Sequence, residues 1–257
     1  MKCIILAAGK SERLRSVTNG APKCLIELGE KTLLQRTIEN VHAVGIQEIG
    51  IVLGYQAGTV KDHVKRLFPL SRIKFMTNPK FDSTNNAFSL LMASEFYKSE
   101  MRRFVPSQAL LLLDSDIVFP KELLPFLIAA EVRNKVAVRV RGNHDEEEIR
   151  VKVNARNETT AIGKTVPLNE TYGESIGIEL FSPATALKLF DVLESRIRNG
   201  VGRTEFYEAA FQQMINEGEI LSAVDISEFP CAEIDTPEDL DYVKTTILPA
   251  LDQRISV

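Results

Sequence analysis

The chain has 257 residues, 44% of them hydrophobic and 26% charged, and a formal net charge of −4. That is ample apolar material for a large core, while the acidic balance argues against nucleic acid as the main partner, because phosphate-backbone binding favours a basic surface. No apolar run approaches the roughly 20 residues that cross a bilayer, and the apolar start is followed at once by Lys10, Glu12, Arg13 and Arg15, unlike a secretory leader, so a protein with no membrane partner is expected.

Elements alternate along the chain. Cys3–Leu6 reads as a buried strand followed by a glycine-containing loop. Leu34, Ile38 and Val41 then recur at i, i+4 and i+7, one face of a helix. Ile49–Leu53 is a second strand, Val60–Leu67 a helix, Ile73–Met76 a strand and Asn86–Phe96 a helix. Ala109–Leu113 is the most apolar strand and runs into Asp114-Ser115-Asp116; Val136–Val140 is another. This βαβα order predicts an α/β fold with a doubly wound, mostly parallel, Rossmann-like sheet carrying helices on both faces. In the second half Val151–Val153, Thr160–Ile162 and Ser175–Phe181 read as strands between polar turns. Helices follow from Pro183 to about Arg198, from about Thr204 to Glu217, and from Pro237 with Thr236 as N-cap. The acidic run Asp145–Glu148 reads as a solvated loop, since it lacks the pattern of a calcium loop. No repeat or linker interrupts the chain, so one domain over 1–257 is expected, in two parts of about 1–140 and about 141–257.

The residues that carry chemistry are sparse. Cys3, Cys24 and Cys231 form neither a disulfide framework nor a zinc motif, which fits a reducing, cytoplasmic setting. His42, His63 and His144 lie far apart without HExxH spacing. The loop after the first strand is richer: Leu6-Ala7-Ala8-Gly9-Lys10-Ser11-Glu12-Arg13-Leu14, then Pro22-Lys23. Ligands of open α/β sheets bind beyond the strands' carboxyl ends, where small residues let backbone N–H groups reach phosphate oxygens. It is not a P-loop, because GxxxxGK[ST] would need glycine at Ile4, nor a Rossmann fingerprint, because GxGxxG would need glycine at Ser11. By composition alone a plain strand-to-loop turn remains the alternative.

Leu-Ala-Ala-Gly, Arg13-Leu14 and Pro22-Lys23 in this order resemble the signature of the nucleotidyltransferases that make nucleoside-diphosphate sugars and alcohols. Ser11 stands where that family usually has a second glycine. The resemblance implies the nucleotide-diphospho-sugar transferase fold and a nucleotide held by Leu6, Ala8, Gly9, Lys10 and Ser11. It also implies a charge-neutralising pair, Lys23 and Arg13, and a Mg²⁺ ion on Asp116 and on Asp235 of Glu233-Ile234-Asp235-Thr236. Asp114 is placed on the nucleotide side. Read without the family, these aspartates are equally turn and helix-capping acids.

The stretch Asn78-Pro79-Lys80-Phe81-Asp82-Ser83-Thr84-Asn85-Asn86-Ala87-Phe88-Ser89 is similar to that of the cytidylyltransferases acting on phosphocholine and 2-aminoethylphosphonate. It implies CTP, with Asn85, Asn86 and Ser89 near the nucleoside and Gly54-Tyr55 packing near the base. An acceptor with an ammonium head favours carboxylates and aromatic faces, for which Tyr172, Glu174, Tyr207 and Glu208 are candidates. Arg150 or Lys152 is expected on the acceptor's phosphate or phosphonate. The alternatives are a sugar-1-phosphate or inositol-1-phosphate nucleotidyltransferase and, from another class, a nucleotide-binding module without turnover.

Overall fold

The computed structural model describes residues 1–99, 108–140 and 148–255. In the first half, β1 (Lys2–Ala7), α1 (Arg15–Thr18), the ribbon β2 (Glu27–Leu28) and β3 (Lys31–Thr32), and α2 (Leu33–Ala43) lead to β4 (Glu48–Leu53). Next come α3 (Ala57–Leu67), β5 (Arg72–Thr77), α4 (Asn86–Met92), α5 (Ser94–Lys98), β6 (Leu110–Asp114), β7 (Ile117–Val118), α6 (Leu123–Ala129) and β8 (Lys135–Arg139). The second half contains β9 (Arg150–Val153), β10 (Thr159–Gly163), β11 (Gly173–Phe181), α7 (Pro183–Arg198), α8 (Glu208–Asn216), β12 (Ser222–Asp225) and β13 (Ala232–Glu233). It closes with α9 (Pro237–Tyr242), a π-helical turn at Val243–Ile247 and α10 (Leu248–Ile255).

The main sheet runs β10-β9-β11-β6-β1-β4-β5, with β8 pairing to both β11 and β12. Its centre, β6-β1-β4-β5, is parallel; β11 enters antiparallel against β6 and so joins strands from both halves in one sheet. Successive residues of β1 serve opposite faces. Cys3 and Ile5 pack with Leu34, Ile38 and Val64 of α2 and α3, while Ile4 and Leu6 pack with Leu90, Phe190 and Phe211 of α4, α7 and α8. Both faces are thus covered, as near-continuous apolar runs demand, and each fully buried Leu or Ile contributes about 1.5–3 kcal/mol. A third cluster places Leu14, Ile26 and Leu28 against Val118, Ile234, Leu240 and Val243, fastening the N-terminal loop to the chain after β13.

The expected elements are present, with instructive departures. The helix expected over Asn86–Phe96 is divided at Ala93. The helix expected from Thr204 begins only at Glu208, because the preceding loop crosses to α4: Asn85 N donates to Arg203 O at 2.9 Å and Tyr207 N to Asn86 Oδ1 at 2.8 Å. Of the acidic run, 145–147 lie outside the described residues, and Glu148 is buried rather than solvated. The short strands β2, β3, β7, β12 and β13 had no periodic signal.

At α9 the expected N-cap is complete. Thr236 Oγ1 accepts from Asp239 N at 3.2 Å, and Asp239 Oδ2 accepts from Thr236 N at 2.8 Å and from Asp235 N at 2.9 Å. Thr236→Ala is expected to cost about 1 kcal/mol, read as a lower urea midpoint at unchanged m-value; an unchanged midpoint would show that the cap adds nothing to stability.

Candidate functional site

The site begins where β1 ends. Leu6 lies in register with Asp114, and Ser115 N donates to Leu6 O at 3.1 Å, so the loop after β1 and the Asp-Ser-Asp turn share the sheet's carboxyl edge. The loop is held from the far side by β4: Tyr55 N donates to Ala8 O at 3.1 Å. A Cβ on Gly54 would stand 2.4 Å from that same oxygen, so only glycine allows the approach. Ser11 has φ 51° and ψ 56°, the left-handed region that disfavours L side chains. Glycine would meet no such penalty at this position, and serine accepts the left-handed turn here. A Cβ on Gly9 would meet open space, which leaves bare backbone facing the cavity.

That cavity is a cleft of about 400 Å³ lined by Leu6, Ala8, Gly9, Ser11, Arg13, Lys23, Asn85, Asn86, Ser89, Asp114, Asp116, Glu208 and Asp235, all expected from the sequence. Lys10 lies outside it. Its ammonium sits 5.8 Å from the Phe81 ring centroid, and it lines a side depression with Tyr55. Tyr55 and Gly54 support the loop rather than line the cleft; the Tyr55 hydroxyl donates to Gly20 O at 2.9 Å. Asn85 and Asn86 already have structural duties as the cap of α4 and the acceptor for Tyr207 N, and the Ser89 hydroxyl accepts from Asn78 Nδ2 at 3.0 Å.

The short pairing of β13 with β7 sets Glu233 opposite Ile117, and Ile234 N donates to Asp116 O at 3.0 Å. Residues more than a hundred positions apart thereby meet. Lys23 Nζ donates to Asp116 Oδ2 at 2.8 Å and to Asp235 Oδ1, while Arg13 Nη2 donates to Asp235 Oδ2 at 2.9 Å. Burial works against the Lys23 ammonium, yet Asp116, Asp235 and Glu233 outweigh it and raise its pKa above the usual lysine range. Burial likewise works against the Asp235 carboxylate, and Lys23 and Arg13 outweigh it and hold its pKa low. Glu233 is pushed up to about 8 by burial and by the two aspartates.

One oxygen from each of Asp116, Glu233 and Asp235 lies within 4.8 Å of the others, and Asp116 Oδ1 is buried without a partner. A set of hard carboxylate oxygens with an unfilled acceptor suits a Mg²⁺-like ion rather than a soft metal. Glu233 was not singled out from the sequence, although i, i+2 spacing in an extended segment puts it on the same side as Asp235.

Asp114 behaves differently from Asp116. It sits against Gly177, whose φ of +69° marks the break in register where β11 crosses from Ser175 to Glu179 against β8. A Cβ there would lie 2.6 Å from Asp114 Oδ2. Burial, then Asp116, Glu179 and Glu208, raise the Asp114 pKa well above the carboxylate range, against the Tyr207 hydroxyl that donates to Oδ2 at 2.9 Å. Burial and the neighbouring acids thus favour the protonated form of Asp114, whose carboxyl accepts from Tyr207 and stands apart from the three-acid cluster. Tyr207 is fully buried beneath it, a support for Asp114 rather than an aromatic face for a ligand. Glu208 is pushed up to about 7, chiefly by burial, and its Oε2 lacks a hydrogen-bond partner.

A second chamber of about 440 Å³ shares Arg13, Ile149, Phe206, Glu233 and Asp235 with the cleft and adds Arg139, Glu148, Lys164, Glu174 and Tyr242. Of the expected acceptor residues, Glu174 lines this chamber, paired to Arg139 at 2.6 Å, and Glu208 lines the cleft. Arg150, Lys152 and Tyr172 line neither cavity. The Arg150 side chain is buried and donates to Lys164 O, and Lys152 pairs with Glu170; Tyr172 is half-buried against the second core cluster. Lys164 joins Arg13 and Arg139 among the chamber's cations, 5.2 Å from the centroid of the Phe206 ring. Neither it nor Arg139 had a sequence signal beyond its charge.

Residues 3–187 match the family model of the MobA-like NTP transferase domain. The chain is 30% identical over 138 residues to a CTP:phosphoglutamine cytidylyltransferase of Campylobacter jejuni, across 54% of this chain and 52% of that one. It is 36% identical over 95 residues to a choline-phosphate cytidylyltransferase of Streptococcus pneumoniae, across 37% and 40%. The chain thus spans about half the length, or less, of these curated relatives. The solved inositol-1-phosphate CTP transferase of T. maritima superposes with a TM-score of 0.79 at 21% identity, over 98% of this chain and 96% of that one, a likeness of fold. With a matched segment of this extent, the chain belongs to the MobA-like NTP transferase family.

Proposed function

We propose that the chain transfers CMP from CTP to a small phosphorylated or phosphonate acceptor that carries an amine, phosphocholine or 2-aminoethylphosphonate, and releases pyrophosphate. The observation that carries this reading is the convergence of the bare-backbone loop Leu6–Ser11, Lys23 and Arg13 with the acids Asp116 and Asp235 in one cleft that opens into a second chamber. The cytidylyltransferase names of the curated relatives support CTP. In this reading residues 1–140 hold the nucleotide and 141–257 the acceptor, as one folded unit, in the cytoplasm, where the three buried free cysteines stay reduced.

The reaction is a single in-line displacement. An acceptor oxygen, already ionised near neutral pH, forms a bond to the α-phosphorus as the bond to the β-bridging oxygen breaks, so no protein nucleophile or strong base is required. Lys23 and Arg13 offset charge on the α-phosphate and the leaving pyrophosphate. Asn85, Asn86, Ser89 and Asp114 offer hydrogen bonds to the nucleoside. Mg²⁺, held by Asp116 and Asp235 with Glu233 in reach, would supply the remaining positive charge and orient the two oxygens. Glu174 and Glu208 face the acceptor's amine, with Phe206 and Lys164 at the wall.

The deciding measurement is pyrophosphate release with CTP, UTP and dTTP against phosphocholine, 2-aminoethylphosphonate, inositol-1-phosphate and a hexose-1-phosphate. Turnover is expected with CTP and an amine-bearing acceptor, to be abolished by EDTA and restored by Mg²⁺. Preference for UTP with a hexose phosphate would replace the acceptor and nucleotide assignment. No release with any pair would favour a nucleotide-binding module.

A further inference from the structure

The ammonium of Lys23 lies in the gap between the acids that a divalent ion would bridge. It donates to Asp116 Oδ2 at 2.8 Å and to Asp235 Oδ1, and its side chain is only 9% exposed. An ion that takes the open Asp116 Oδ1 meets an Asp235 carboxylate already held on both oxygens, and at contact distance it and the Lys23 ammonium repel strongly in a partly buried site. The Leu6–Ser11 loop lines the same cleft, so an ammonium that leaves the acids has a phosphate-binding surface beside it.

We propose that Lys23 is an internal latch on the metal site: in the ligand-free chain it occupies the place between Asp116 and Asp235, and a divalent ion binds there only by displacing it toward the phosphate cradle. The inference rests on the metal site proposed above. It follows that metal and triphosphate reinforce each other beyond their direct contact. A metal frees Lys23 for phosphate, and phosphate that draws Lys23 off the acids tightens the metal by the same factor. Arg13, on the other Asp235 oxygen and 58% exposed, does not fill the gap and need not move.

The test titrates Mn²⁺ into nucleotide-free protein, with unbound Mn²⁺ read by electron paramagnetic resonance. Lys23→Gln is expected to bind Mn²⁺ roughly tenfold more tightly than the wild type, and adding Asp235→Asn should erase the gain. Lys10→Gln, which removes a nearby charge that touches neither acid, should change little. Equal affinity in wild type and Lys23→Gln, weakened in both by Asp235→Asn, would overturn the latch and leave the metal site standing. So would an equal gain in Lys10→Gln. Binding indifferent to Asp235→Asn would overturn the metal site as well. Should Lys23→Gln not fold, the wild type still decides the matter. Amine acetylation of Lys23, followed by mass spectrometry at fixed ionic strength, should speed up several-fold on adding Mn²⁺, and an unchanged rate overturns the proposal.

Discussion

Asp235→Asn is expected to lower turnover by on the order of 10²–10³-fold, the usual scale for losing one charge that acts on a transition state, with little change in the far-ultraviolet circular dichroism of the protein. Asparagine keeps the size of the side chain, and the backbone around it is fixed by Asp239 and Thr236. The charge is what disappears, and with it one oxygen of the three-acid cluster. Lys23 would keep Asp116, and Arg13 would lose its only ion-pair partner among the described residues. Assayed by pyrophosphate release over a Mg²⁺ series, the defect should persist at saturating metal if the carboxylate orients the reacting groups. Full rescue by high Mg²⁺ would reduce its role to affinity, and near wild-type turnover would remove it from the site.

The second large effect concerns Glu208 and pH. Its pKa is about 7 in the folded protein against an ordinary 4.5, because burial disfavours the charged form. Between those values the folded chain holds a proton that the unfolded chain has released, so stability falls as pH rises across that window and levels off above about pH 7. A difference of this size corresponds to about 3 kcal/mol. Glu208→Gln keeps the neutral shape and removes the titration. The variant should therefore be more stable than the wild type at pH 8 and close to it at pH 4.5, measured by urea unfolding at both. An equal difference at the two pH values would show that Glu208 does not titrate in this range. A buried acid kept at such a cost is one that a ligand is expected to use, which is why the same variant should also raise KM for an amine-bearing acceptor.

Much of the first half of the chain was legible in the sequence. Strands β1, β4 and β6 announce themselves as apolar runs, and the Leu6–Lys23 loop has a spacing specific enough to exclude two commoner phosphate loops. Ser11 could not be settled by sequence, since its fit depends on a backbone angle, φ 51°. The second half was harder for a physical reason. Lys164 reaches the chamber because β10 turns back along β9, and Arg150, which the resemblance offered together with Lys152, is consumed in holding the Lys164 carbonyl. Charge on a residue says little about which side of a sheet it serves until the register is known. Tyr207 shows the same limit: its aromatic ring suggested a ligand face, and its burial beneath Asp114 makes it a hydrogen-bond donor to that acid.

The apolar contact of Leu14, Ile26 and Leu28 with Ile234, Leu240 and Val243 has a bearing on biosynthesis. A chain emerging from the ribosome assembles the Leu6–Ser11 loop and strands β1, β4 and β6 early, yet Asp235, the second of the two acids that hold Lys23, lies 212 residues later. In the reading proposed above, synthesis through β12 provides every strand of the main sheet but leaves the cleft without Glu233 and Asp235, so activity has to wait for the stretch around β13 to dock.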